Sequence, residues 1–167
     1  MNGFGGAGGM SDGKYNITNN FGGELYKYIG QKEALNLMHY VDEVNCKMGG
    51  AGAKLYTTEN NELRTRALRH DLHLLDAKVR HFGTDRNLVI LNNLYHYLKD
   101  KVDIIFNTEV FEIEKKHEEF IVSTNNQEYI CDYLILATGR SGSKWISKVC
   151  EKLGIKTESN RVDIGVR

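Results

Sequence analysis

Three stretches carry residue types at spacings that could do chemistry. In Asp132-Tyr-Leu-Ile-Leu-Ala-Thr-Gly-Arg-Ser-Gly-Ser-Lys-Trp145 an unbroken apolar run stops at Thr138-Gly139 and gives way to an amphipathic segment. A short apolar run closed by glycine and small polar residues reads as a buried parallel strand whose carboxyl end meets a ligand, here a nucleotide or dinucleotide. Near the N-terminus, Gly3, Gly5 and Gly8 satisfy G-x-G-x-x-G. That motif works only when a strand delivers the chain to the turn and a helix N-terminus follows it. Only Met1-Asn2 precede these glycines, and Met10 to Asn16 is not the apolar-periodic opening of a helix, so the dinucleotide fingerprint is not expected. The third stretch is Arg80 to Arg86. Arg80 and His81 stand just ahead of a helix that Thr84 or Asp85 can cap, a combination of donors and positive charge that suits a phosphate or carboxylate. It equally suits a plain cap with solvated arginines.

These groups need elements to hold them. Glu24 to Ile29 and Lys32 to Lys47 read as helices, the second with Leu35, Met38, Val41 and Val44 at helical spacing. A further helix and a short strand, Leu72 to Val79, are expected within residues 57–79. After residue 84 a helix with the stripe Leu88, Leu91, Tyr95 and Leu98 would pack on a sheet. Residues 102–106 read as a parallel strand. Residues 108–114, 119–124 and 127–131 read as an antiparallel meander, two of its members alternating at period two, with Asn125-Asn126 as a turn. Ser141 or Ser143 would cap the last helix.

Taken in order, parallel strand, meander and buried strand resemble the second half of the FAD-binding domain of glutathione-reductase-like flavoproteins. Gly3-Phe-Gly-Gly-Ala-Gly-Gly-Met-Ser-Asp-Gly-Lys-Tyr-Asn16, Arg80-His-Phe-Gly-Thr-Asp-Arg86, Ala137-Thr-Gly-Arg-Ser-Gly-Ser-Lys-Trp145 and Val162-Asp-Ile-Gly-Val-Arg167 are similar to a group of largely uncharacterised prokaryotic FAD-dependent dehydrogenases. The resemblance implies an α/β fold, an incomplete Rossmann-like FAD-binding domain with parallel strands, an antiparallel β-meander and an attached helical segment. It divides the chain into a glycine-rich cofactor loop (1–23), a helical lobe (24–78) and the second half of the FAD-binding domain (79–167). Family members open with a strand, glycine turn and helix that hold the FAD pyrophosphate. The sequence departs from that pattern, which reads as an internal fragment or truncated frame of a longer flavoprotein.

By the same resemblance, Gly6, Ala7, Gly8, Ser11, Asp12 and Lys14 would lie beside the flavin and its phosphates, the glycine amides forming a concavity for negative charge. A glycine-rich end with no fixed structure is the alternative. Val110 would meet the adenine through its backbone, and Ala137, Thr138 and Gly139 would form the strand end, with Arg140 balancing phosphate charge or pairing with an acidic residue. Arg80 and His81 join this set. FAD would carry hydride between an unknown small-molecule or redox substrate and a partner, so no side chain is named as catalytic. Two other functions stay open: a non-catalytic nucleotide-binding module, and an inactive product that self-associates through exposed sheet edges.

Bulk properties narrow the classes. The chain has 167 residues, 41% hydrophobic and 26% charged, enough for a globular core. A formal net charge of +0 gives no electrostatic reason to expect nucleic acid or anionic membrane as partner. No apolar run is long enough to cross a bilayer and no signal peptide opens the chain, so a cytoplasmic protein is expected. Cys46, Cys131 and Cys150 are widely separated and read as buried thiols, without the C-x-x-C of a disulfide reductase. His70 and His73 lack further ligands at metal-binding spacing, and no metal is expected.

Overall fold

The structure is a computed structural model that describes residues 3–159. Val162 to Arg167, expected to open a strand, lie outside the described residues. The chain divides into two units between Ile104 and Ile105.

In the first unit, a 3₁₀ turn at Gly6–Met10 leads into β1 (Lys14–Ile17), α1 (Tyr26–Ile29) and α2 (Gln31–Asn45). A wide turn at Cys46–Gly50 and β2 (Leu55–Thr57) follow, then α3 (Asn61–Leu68), β3 (Lys78–His81) and α4 (Thr84–Leu98). The sheet order is β1-β3-β2, and both pairings are antiparallel. Lys14 stands opposite His81, and Leu55 opposite Arg80. The core gathers Ala53, Phe82 and Ile90, with Tyr15, Cys46, Met48 and Leu94 packed around them. Tyr15 meets Phe82 edge-on at 5.4 Å between ring centroids, a favoured aromatic geometry. Gly50 has no room for a side chain, because a Cβ there would collide with the Phe82 ring.

Asn60 caps α3, its Oδ1 accepting from the Leu63 amide at 2.9 Å, and Arg64 on that helix pairs with Asp76 just ahead of β3. At α4 the expected cap is not made. Gly83 (φ 78°) occupies the N-cap position, Thr84 is already helical, and no side chain closes the helix start. The buried face of α4 is also rotated from the expected stripe. Asn87 and Ile90 are fully buried, whereas Leu88 is exposed.

In the second unit, β4 (Val110–Lys116), β5 (Glu119–Thr124) and β6 (Glu128–Cys131) form an antiparallel meander at the positions that period-two alternation indicates. Thr124 closes the Asn125-Asn126 turn, its hydroxyl donating to the Gln127 carbonyl at 2.6 Å. Helix α5 (Ser143–Lys152) reaches β4 through Trp145, whose Nε1 donates to the Phe111 carbonyl at 3.1 Å. Lys152 lies between Glu112 (2.5 Å) and Glu114 (3.3 Å). Its hydrogen bond to Glu112 raises the ammonium pKa, and the bond it donates to Glu114 holds that carboxyl below its usual range. Gly142 is the N-cap residue of α5, and neither Ser141 nor Ser143 caps it.

The expected parallel, Rossmann-like α/β sheet is not formed. Both sheets are antiparallel, and among the described residues no two strands run parallel. The segments 102–106 and 132–138 belong to no strand. The physical reason is pairing: a strand exists only where a neighbour takes its N–H and C=O groups, and among the described residues no strand lies beside these runs. Tyr133 and Ile135, expected to be buried on two sides, are 91% and 90% exposed.

Candidate functional site

Among the predicted residues of the first unit, all but Arg80 are brought together. Gly6, Ala7 and Gly8 lie in the 3₁₀ turn, and Ser11 follows it, its hydroxyl donating to the Gly8 carbonyl at 2.9 Å and accepting from the Gly13 amide at 3.2 Å. Lys14 opens β1 beside His81, and the Phe82 amide donates to the Gly13 carbonyl at 2.9 Å. The loop, the β1–β3 edge and the start of α4 therefore share one corner.

Two glycines fix the fit of this corner. Gly13 has φ 65°, and a Cβ there would sit 2.9 Å from the Gly83 carbonyl and 3.1 Å from the Asn87 Cβ. At Gly5 (φ 87°) a Cβ would approach Leu91 to 2.8 Å. The outer side of the turn is different. At Gly3, Gly6 and Gly8 a Cβ would meet nothing within 4 Å, so the backbone there is open to a ligand.

Asn87 holds the turn, and sequence reasoning did not find it. Its side chain is fully buried, donating from Nδ2 to the Gly8 carbonyl at 2.7 Å and accepting from the Tyr15 hydroxyl at Oδ1 at 2.9 Å. A buried amide has to place its donors and acceptors, and this one does so by joining the turn to β1. The available signal was an asparagine one turn before Ile90 and Leu91 on an amphipathic helix. Burial also pushes the Tyr15 hydroxyl pKa up, which keeps it a donor.

The charges at the corner pair locally. Lys14 Nζ lies 2.6 Å from Asp12, and that hydrogen bond lowers the exposed Asp12 carboxyl. His81 is exposed at the end of β3. The uncapped start of α4 adds amides and the positive end of the helix dipole.

Arg80 has a different place from the one expected. Its guanidinium donates to both oxygens of Asp42 at 2.9 and 2.7 Å, and to the Ala53 carbonyl at 2.7 Å. The Asp42 bonds raise its pKa further. Bidentate geometry in a site only 18% and 9% exposed makes this a structural clamp between β3, α2 and the turn before β2. Its charge is matched inside the fold.

The remaining predicted residues lie in the second unit. Val110 opens β4, whose pairing with β5 is interrupted between Val110 and Glu112. Ala137 and Thr138 follow the unpaired run, Gly139 turns with φ 64°, and Arg140 starts a short 3₁₀ turn. Gly142 packs so closely on Thr138 that a Cβ could not be accommodated. Ala137, Thr138, Gly139 and Arg140 are exposed, at the corner of a loop rather than at the end of a strand.

Among the described residues no helix is long and apolar enough to cross a membrane. No protein-family model, curated protein or solved structure matches the chain.

Proposed function

We propose that this chain supplies part of the FAD site of an FAD-dependent oxidoreductase. The observation that carries this reading is the glycine turn: its inner side is tied to α4 and β1 by Asn87, while Gly3, Gly6 and Gly8 leave its outer side open. A backbone held rigid and bare of side chains lets a large planar or phosphorylated group approach its amides. Ser11 to Lys14 and His81 border the same corner with polar and basic groups. Together with the sequence resemblance, these features fit FAD; the reading rests on the turn and not on a parallel sheet.

In this role Gly6, Ala7 and Gly8 present the backbone and Lys14 offers charge, while Asp12 orients the lysine. Val110 and the corner Ala137 to Arg140 belong to the second unit, and their part in the cofactor site rests on the sequence resemblance alone. FAD supplies hydride acceptance, and the chain's residues bind, orient and exclude water. The place of action is the cytoplasm, with an unidentified small-molecule or redox substrate. A second reading, a chain that does nothing alone and self-associates, is favoured by the exposure of Tyr133 and Ile135.

The test is the visible absorbance of the purified chain after incubation with FAD and gel filtration. Co-eluting yellow colour that Lys14→Glu diminishes supports the reading. Colourless, folded protein refutes binding by this chain alone.

A further inference from the structure

Helix α2 carries apolar residues on a side that the fold does not use. Ala34, Asp42 and Asn45 turn inward and are buried. Leu37, Tyr40, Val41 and Val44 recur at i, i+3, i+4 and i+7, which places them within about 100° of arc on another side of the helix. Leu37, Tyr40 and Val41 are 45%, 62% and 43% exposed, and Val44 is half-buried. Apolar side chains that stand singly on a surface are ordinary, but four that adjoin one another mark a contact surface.

The charges at the two ends of this stripe say what covers it. Glu33, Tyr40 and Lys47 are seven residues apart, so they follow one line along the helix, with Leu37 and Val44 beside it. Lys47 lies in the Cys46–Gly50 turn, where only Gly49 leaves helical geometry, so the line runs on to it. Both charged ends are exposed. Neither makes an ion pair among the described residues, and Glu33 takes only the side-chain amide of Asn36, at 3.4 Å. With a rise of 1.5 Å per residue the two charges stand about 21 Å apart, too far to meet within one chain.

We infer that α2 is the two-fold contact of a homodimer, packed antiparallel on α2 of a second copy. In that arrangement the stripe is its own complement. With Tyr40 at the axis, Leu37 lies against Val44 of the second copy and Glu33 against its Lys47, and each contact occurs twice. A parallel pairing would set Glu33 on Glu33 and Lys47 on Lys47, like on like. A partner of uniform charge would meet repulsion at one end of the stripe.

Sedimentation equilibrium of the full chain is the experiment. One helix face falls short of the roughly 800 Å² per partner of a standard interface, so we expect a weak dimer, with a dissociation constant on the order of 100 µM at low salt, and no larger species. Tyr40→Glu weakens association at least about tenfold. Glu33→Lys or Lys47→Glu alone weakens it about threefold, and the two together restore it to within about twofold of the unsubstituted chain. Such recovery cannot come from damage to the fold. Ile135→Asp, on the apolar run of the second unit, leaves the dimer unchanged. A monomer at every concentration, association that continues beyond two copies, loss with Ile135→Asp in place of Tyr40→Glu, or no recovery on reversing both charges would each overturn the inference.

Discussion

The glycine turn at Gly6–Met10 and the apolar run Tyr133 to Leu136 are opposites in composition and in fate. The turn has almost no side chains of its own, yet it is fastened from outside: Asn87 bonds the Gly8 carbonyl, and Leu91 fills the space beneath Gly5. The run is among the most hydrophobic stretches of the chain, yet it joins no strand, and Tyr133 and Ile135 face solvent. Order in this protein follows partners rather than local composition. A bare backbone becomes rigid when a buried amide claims it, and an apolar strand former stays outside the sheets when no neighbour takes its hydrogen bonds.

The sharpest way to break this contrast is Asn87→Leu. It strands the Tyr15 hydroxyl and removes the bond that ties the Gly8 carbonyl to α4, so we expect a loss of about 2 kcal/mol in urea unfolding and faster hydrogen exchange across residues 3–13. Unchanged exchange would mean that the turn is held by something other than Asn87. On the other side of the contrast, Ile135→Asp removes no buried contact, and its effect on stability should stay within about 0.5 kcal/mol. A large loss would show that the run is covered in solution. If the exposed run drives self-association, sedimentation velocity will show less of it in the variant.

The smallest effect concerns Asp12. Its hydrogen bond from Lys14 lowers the folded-state pKa, so the pair's contribution is present above the ordinary carboxylate range and fades as pH falls through the lowered value. Both side chains are more than half exposed, and salt screens them. A pH titration of the Asp12 carboxyl by NMR should show a midpoint below that of the same group in Lys14→Met.

What the sequence made legible was what repeats locally. The meander β4–β6 follows from period-two alternation, and α2 and α4 follow from helical spacing. β1 and β2, with four and three residues, are too short for a period to emerge. Two polar residues on the buried faces of the long helices escaped the sequence for one shared reason. Asp42 and Asn87 are buried polar residues, and each occupies its apolar face because a distant partner, Arg80 or Gly8, answers it. The same distance hid the role of Arg80, whose acid partner lies 38 residues earlier. The parallel sheet failed because the resemblance supplied neighbours for residues 102–106 and 132–138 that the structure does not place beside them.

The Asn87 amide also sets an order of events. Its two partners lie 72 and 79 residues earlier in the chain, so the turn cannot dock until nearly all of the first unit has been made. At ribosomal speeds of roughly 5 to 20 residues per second, the glycine segment waits about 4 to 16 seconds after its own synthesis before residue 87 is joined to the chain. The meander, whose strands are neighbours in sequence, closes without any such delay. The glycine segment is thus made well before it can find its place, and through that interval it is open to proteases and chaperones.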